Sequence, residues 1–307
     1  MPKTHVSRSK IINAAPEKVF PAIAQMDQWE VWSPWLMMEP EATVTVADDK
    51  RSYRWEGQRV GEGHMAITDS VENQSARYDL TFLKPFKSTA KVGMDLREVD
   101  GGTEVTWTMD SQLPFFLFFM KRMMEGFIGM DYERGLNLLK DYVEDGKIHS
   151  KLNFKGEWDY DGCTYLGIRR ACSLEAMPQL MKEDFERLGP WAAEHGLRPE
   201  SMFCIYHDFN PVKGRCEYTA AVPYVDKPEN LPDDFITGSQ AASRMYTLGH
   251  VGPYEHLGNA WSTLHNMIRS KELKVQKGYH PFETYGNSPQ DTDPKDLITM
   301  VTFALKS

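Results

Sequence analysis

The chain has 307 residues, of which 41% are hydrophobic and 26% charged, as in a globular protein of two ordinary domains. Its formal net charge is −9, and it has no zinc-finger spacing or helix-turn-helix pattern, so we expect no nucleic-acid binding. The amino-terminal residues contain no apolar signal segment and the four cysteines form no CxxC pair. We therefore expect a cytoplasmic protein with reduced thiols and no cofactor.

Short extended runs dominate the first half. A strand over residues 4–13 is followed by a short helix that begins at Pro16. In later runs apolar and polar residues alternate, so that Tyr78, Leu80 and Phe82 share one face, and this period of two predicts half-buried antiparallel strands. The further predicted strands are 41–47, 51–57, 61–71, 76–84, 87–98 and 103–110.

A long amphipathic helix is predicted over residues 115–144, because its later part has apolar residues at three- and four-residue spacing and Gly146 can cap its end. The most apolar run, Leu113–Met120, is too short to span a bilayer and is followed by Lys121 and Arg122. This run could gate an interior cavity or touch a membrane. We favour a third interpretation, in which it packs the start of the helix against the sheet.

Three stretches of this half carry a family resemblance: residues 11–20, Trp32-Ser33-Pro34-Trp35 and residues 102–107. Over residues 3–145 the chain resembles the START-like superfamily, which includes polyketide cyclases. The resemblance implies a helix-grip fold, in which a seven-stranded antiparallel sheet surrounds one long helix. Its members share a fold more than a function. Aromatic residues could line a cavity there or simply form the core; they are Trp32, Trp35, Tyr78, Phe82 and Trp107.

The second half contains two similar strand-helix-strand-strand units after a polar linker at 153–161. Leu166-Gly167 in the first unit corresponds to Leu248-Gly249 in the second, 82 residues later. This repeat predicts a duplicated domain with pseudo-twofold symmetry. The predicted strands are 164–170, 202–208, 217–223, 244–251, 278–286 and 296–305, and the predicted helices are 173–195 and 254–270.

The second unit carries two motifs in order, residues 249–255 (GHVGPYE) and residues 281–287 (PFETYGN), with Trp261 between them. They resemble the GyrI-like family, an effector-binding domain also attached to AraC-type and MerR-type transcription activators. The resemblance covers nearly the whole half. It implies an α+β fold with an aromatic cleft between the two units and a buried acidic residue that recognises lipophilic cations, here Glu283. The resulting domain boundaries are residues 1–148 and 155–307.

The chemistry of such a site follows from burial. A buried carboxylate is costly without a compensating partner, whereas aromatic faces attract cations. Glu283 and Tyr285 share a face of one strand, and Trp261 lies on the helix expected to cover it. Tyr165 and Tyr206 are further predicted walls from the first unit. The alternative is that Glu283 is a surface residue and Trp261 a core residue, and we interpret Glu255 as a helix-start acid.

Three functional hypotheses remain open. The first is a protein that binds small apolar or cationic ligands and lacks its own DNA-binding domain. The second is an enzyme, either a hydrolase of reactive compounds with Glu283 as general base or a cyclase-like activity in the first half. The third is a protein-interaction module. His250 and His256 lack the spacing of metal ligands, so we expect no metal site.

Overall fold

The computed structural model describes residues 3–113 and 115–306. It divides into two compact units. The first comprises residues up to Ser150 together with His265–Ser270, and the second comprises Lys151–Leu264 and the chain from Lys271. No helix among the described residues is long and apolar enough to cross a bilayer.

The first unit contains the predicted seven-stranded sheet, in which every neighbouring pair is antiparallel and the strand order is β1-β7-β6-β5-β4-β3-β2. Burial alternates along β7 from Thr103 to Met109, as the apolar–polar alternation predicts. The strands are β1 (Lys3–Ile12), β2 (Thr43–Val46), β3 (Ser52–Gly57), β4 (Gly61–Val71), β5 (Ser75–Lys84), β6 (Ser88–Val99) and β7 (Gly102–Gln112).

The helices of this unit are α1 (Pro16–Ala24), α2 (Met26–Trp32) and α3 (Lys121–Asp145). The long helix ends as predicted at Gly146, which adopts a left-handed conformation with φ of 73°. Its start differs, because Phe115–Met120 forms a 3-10 helix. The expectation that the apolar run packs against the sheet is wrong for Phe116, Phe118 and Phe119, which are exposed. The α+β helix-grip fold is otherwise confirmed.

The second unit is an eight-stranded sheet with the order β12-β9-β11-β10-β14-β15-β13-β8. It contains the two predicted strand-helix-strand-strand units, with α4 (Met177–Glu194) and α5 (Gly258–Arg269), although the residues of α5 from His265 onward group with the first unit. The strands are β8 (Lys151–Tyr160), β9 (Cys163–Ser173), β10 (Phe203–Asn210), β11 (Arg215–Tyr224), β12 (Phe235–Gln240), β13 (Ser243–Val251), β14 (Phe282–Tyr285) and β15 (Ile298–Ala304).

Two strands of this sheet correct the sequence analysis. The predicted linker at 153–161 is largely strand β8, which pairs antiparallel with β13 at the edge of the sheet. The polar residues there alternate with Phe154, Gly156, Trp158 and Tyr160, and this period of two is typical of an edge strand with one apolar face. Strand β12 at the opposite edge was also missed, because Thr237, Gly238 and Ser239 resemble a polar loop.

One face of this sheet is covered by the helices. Cys204, Tyr218 and Val222 point to that face and pack in one buried cluster with Leu188 and Ala192 of α4. Strand parity therefore assigns every second residue of the central strands to the helix-covered face. The intervening residues face the other side, where Phe203, Ile205 and Phe282 form a separate cluster.

Candidate functional site

Glu283 lies at the centre of the second unit, on the short strand β14. Its strand neighbours are Cys204 of β10 and Val301 of β15, so it faces the helix-covered side of the sheet. Only 2% of the residue is exposed. The duplicated fold thus places a carboxyl group on a central strand, beneath the helices, where water has little access.

Three aromatic side chains hold the Glu283 carboxyl group. The Tyr206 hydroxyl donates to Oε2 at 2.8 Å, and the Tyr285 hydroxyl donates to the same oxygen at 3.2 Å. The Trp261 indole N–H donates to Oε1 at 2.5 Å. All three donors were among the predicted site residues. Tyr206 comes from β10, Tyr285 from β14 and Trp261 from α5, so residues of both repeats and of the second helix converge on one group.

Two further aromatic residues extend this cluster and were not predicted from the sequence. Tyr254 is 42% exposed and makes an edge contact with Tyr285, with ring centroids 6.3 Å apart. Phe185 of α4 also contacts Tyr285 edge to face, with ring centroids 5.4 Å apart. Tyr254 belongs to the GPYE motif, which drew attention to the acidic residue beside it rather than to the ring. Nothing in the sequence pattern singled out Phe185.

Burial dominates the electrostatics of the site. Burial raises the pKa of Glu283 above its ordinary value of 4.5, and the hydrogen bonds from Trp261, Tyr206 and Tyr285 oppose this rise. Burial followed by the nearby Glu283 charge raises the pKa of Tyr206 and of Tyr285 well above 10. Both hydroxyls therefore stay protonated and remain donors.

A second buried carboxyl group in this unit is held differently. Asp184 of α4 is 1% exposed and accepts two hydrogen bonds from the Arg170 guanidinium Nε, at 3.1 and 2.8 Å, and another from its Nη2. The Tyr218 hydroxyl donates to it at 2.7 Å. Asp184 therefore has a cationic partner. Glu283, by contrast, is held by neutral donors and makes no ion pair in the described part of the chain.

Tyr165, another predicted wall of the site, lies on the opposite face of the sheet. It packs against Phe203 at 5.7 Å, in the cluster that faces away from the helices. The reason is strand parity, because the next residue, Leu166, points into the helix-covered core. A cavity of about 390 Å³ also opens on this side, between Trp158, Phe203 and Phe282. That cavity is distinct from the surroundings of Glu283.

The predicted cavity residues of the first unit form a packed aromatic core. Trp32, Tyr78 and Trp107 are each at most 1% exposed. Trp107 stacks on Tyr132 at 4.1 Å, and Trp35 meets Trp107 edge to face at 5.8 Å. The Tyr78 hydroxyl donates to the carbonyl of Ile23 at 2.7 Å. These contacts are the ones expected if the four residues Trp32, Trp35, Tyr78 and Trp107 form the core of the unit and do not line a cavity.

Phe82 lies at the partly buried margin of the same core. Its ring contacts Trp55 at 6.0 Å, and the residue is half-buried. Trp55 in turn packs against Tyr53 at 5.3 Å. Phe82 therefore packs beside the aromatic residues of β3 at the edge of the same core.

Comparison with known families agrees with both folds. Residues 3–144 match a family model described as polyketide cyclase / dehydrase and lipid transport. Residues 161–306 match a model described as GyrI-like small molecule binding domain. Together these matches confirm the predicted fusion of a START-like domain with a GyrI-like domain. They support small-molecule binding as the general function of the chain.

Several solved structures match about half of the chain at low identity. A protein named MLL2253 from Mesorhizobium loti is 16% identical, covers 47% of this chain and 99% of its own, with a TM-score of 0.36. The Aha1 dimer from Colwellia psychrerythraea is 18% identical, with coverages of 47% and 98% and a TM-score of 0.35. SAV2435 bound to tetraphenylphosphonium is 15% identical, with coverages of 50% and 94% and a TM-score of 0.39. A search of curated proteins found no match.

Proposed function

We propose that the GyrI-like domain binds small lipophilic cations and that Glu283 supplies the counter-charge. The observation that carries this proposal is a carboxyl group that is 2% exposed, held by three neutral aromatic donors and without an ion pair among the described residues. Burying a carboxylate without a cation is costly. A bound cation would remove part of that cost, so the site favours positively charged ligands over neutral ligands of the same shape.

The walls of the site fit the same ligand class. Tyr206 and Trp261 meet edge to face at 5.1 Å, and Tyr285 is flanked by Phe185 and Tyr254. Aromatic faces attract cations and bury large apolar area. Tyr254 is 42% exposed and Tyr206, Trp261 and Tyr285 are half-buried, so the aromatic cluster reaches the surface.

The hydrogen bonding of Glu283 favours binding over hydrolysis. A carboxylate has about four acceptor positions. The two tyrosine hydroxyls occupy Oε2, and the Trp261 indole occupies one position of Oε1. A general base must accept a proton from a water molecule that is itself oriented toward substrate. Three donors already occupy most acceptor positions of Glu283 and compete with such a water molecule. A bulky cation without hydrogen-bond donors needs only the negative charge of the carboxylate.

The test is calorimetric titration of the full chain with tetraphenylphosphonium, a bulky cation without hydrogen-bond donors, at pH 7. Glu283→Gln keeps the side-chain volume and removes the charge, and we expect its Kd to rise at least about tenfold, which corresponds to about 1.4 kcal/mol. Glu255→Gln is the matched control, because Glu255 is exposed and lies in the neighbouring motif. Neutral triphenylphosphine oxide serves as the control ligand.

Two results would contradict the proposal. One is equal affinity of wild type and Glu283→Gln for the cation. The other is equal affinity of the wild type for the cation and for the neutral phosphine oxide. Affinity for the cation should also increase with pH through the raised pKa of Glu283, since only the ionised carboxyl group carries the counter-charge.

A further inference from the structure

Large aromatic side chains are exposed together in the first unit. Phe116, Phe118 and Phe119 are 71%, 60% and 70% exposed, and Phe86 in the turn between β5 and β6 is 82% exposed. Single exposed apolar residues are common, but a group of large ones marks an interaction surface. We call the surface formed by these four residues the aromatic end, because they lie at one end of the first sheet.

The strand register brings the two segments to the same end of the sheet. Ala90 at the start of β6 pairs with Ser111 near the end of β7. The turn that carries Phe86 precedes β6, and the segment that carries Phe116 follows β7. Because the strands are antiparallel, both segments leave the sheet on one side, so the four rings belong to one surface.

The exposed residues continue along the start of α3 as a stripe. Met123 and Phe127 are 37% and 51% exposed, and they follow Phe116 and Phe119 at helical spacing. Another side of the same helix, further along, buries Tyr132 in the core. The first turns of α3 therefore present an apolar stripe to solvent that the helix does not use for packing.

Two basic residues without an acidic partner among the described residues lie beside the aromatic end, although the formal net charge of the chain is −9. Residues 84–94 and 111–124 contain basic side chains and no acidic one. Lys84, Lys91 and Lys121 pair with acidic residues outside these segments. Lys87 and Arg122 make no ion pair in the part of the chain that the structure describes. These two flank Phe86 and the 3-10 helix and are available to an anionic partner.

We propose that the aromatic end docks on the surface of an anionic phospholipid membrane. The phenylalanine rings enter the boundary between headgroups and acyl chains, and Lys87 and Arg122 contact the headgroup phosphates. A second copy of this chain fits less well, because pairing two copies of this surface would bring like charges together. The α3 stripe is too short to span a bilayer, so the contact is peripheral and reversible.

The experiment is flotation of the full chain with vesicles of phosphatidylcholine, with and without phosphatidylglycerol. We expect binding to the anionic vesicles that weakens as salt is added. The triple variant Phe116→Ser, Phe118→Ser, Phe119→Ser should lower the partition coefficient at least about tenfold, since each ring contributes buried apolar area. Phe209→Ser with Val225→Ser is the matched control, because both residues are exposed apolar residues of the second unit.

The charge component is tested by Lys87→Glu with Arg122→Glu, which should reduce binding to anionic vesicles and weaken or reverse its salt dependence. Circular dichroism and thermal unfolding establish that each variant is folded, which we expect because the substituted side chains are exposed. The proposal is overturned if wild type does not float with anionic vesicles, or if the triple serine variant floats equally well. It is also overturned if light scattering shows self-association that the triple variant loses while vesicles stay unbound.

Discussion

Neutralisation should destabilise the GyrI-like domain much more at one of its two buried carboxyl groups than at the other. Asp184→Asn and Glu283→Gln are equivalent changes, in which an amide replaces a carboxyl group that is 1% or 2% exposed. Asp184 is held by the Arg170 cation, whereas Glu283 is held by neutral donors. The comparison therefore isolates the effect of the missing counter-charge.

The magnitudes follow from the contacts. Removing one partner of a buried ion pair costs about 3–5 kcal/mol. The Arg170 side chain is 36% exposed, so solvent stabilises it in the variant and we expect about 2–3 kcal/mol for Asp184→Asn. Glu283→Gln keeps an oxygen that accepts from Trp261 and removes a buried charge. We expect a change within about 1 kcal/mol, or stabilisation, at pH 7.

Urea unfolding of the full chain, followed by circular dichroism and tryptophan fluorescence, measures both free energies of unfolding. Because the chain has two units, the transition that each variant shifts is compared with the same transition of the wild type. A loss of stability for Glu283→Gln as large as that for Asp184→Asn would refute the reasoning, since it would mean that the carboxylate is already compensated.

The pH dependence gives a second measure of the same effect. Burial raises the pKa of Glu283 above 4.5, so the folded chain keeps this proton to higher pH than the unfolded chain does. Its contribution is therefore favourable at low pH and is lost as the pH rises above 4.5. As the pH rises above 4.5, the unfolding free energy of Glu283→Gln should increase relative to that of the wild type. A difference between the two proteins that does not change with pH would contradict a raised pKa of Glu283.

Three other predictions concern stability and packing. Gly167→Ala should destabilise the second unit by about 1–3 kcal/mol in urea unfolding, because its Cβ would lie 2.1 Å from the Ala220 carbonyl oxygen. The equivalent Gly249→Ala should cost less, because the nearest atom, at 3.1 Å, belongs to a flexible methionine side chain; equal costs would refute this. Trp107→Ala should cost about 3–5 kcal/mol and leave a cavity that binds indole, detected as ligand-dependent thermal stabilisation. Desolvation, and then the neighbouring His256, lower the pKa of His250 from 6.5 to about 4. The free energy of unfolding should therefore fall as the pH drops through that interval. Urea unfolding at several pH values should show a smaller fall for His250→Gln.

The sequence by itself determined the fold class of each half of the chain. The alternation in β7 and the turns between the strands predicted all seven strands of the first sheet, because a half-buried strand records its environment in every second residue. Gly146 marked the end of α3 because a left-handed residue there favours glycine. Parity within β14 also placed Glu283 and Tyr285 on one face, which requires only a strand.

The edge strands of the second sheet are harder to predict from the sequence. The sequence predicts a linker in place of strand β8, because an edge strand of this sheet leaves much of its length exposed and its polar residues weaken the alternating pattern. The sequence does not predict strand β12 for the same reason, because Thr237, Gly238 and Ser239 lie at its centre. Their pairing partners lie far along the chain, and long-range pairing leaves little trace in local sequence.

Which side chains reach the Glu283 carboxyl group was decided by the tertiary structure alone. Tyr206 and Tyr165 looked equivalent in the sequence, yet one donates to the carboxyl group and the other packs on the far side of the sheet. The difference is the face that each strand presents when it pairs with its neighbours. That face is set by the register of β9, β10 and β14 in the assembled sheet, because a shift of one residue turns every side chain to the opposite side.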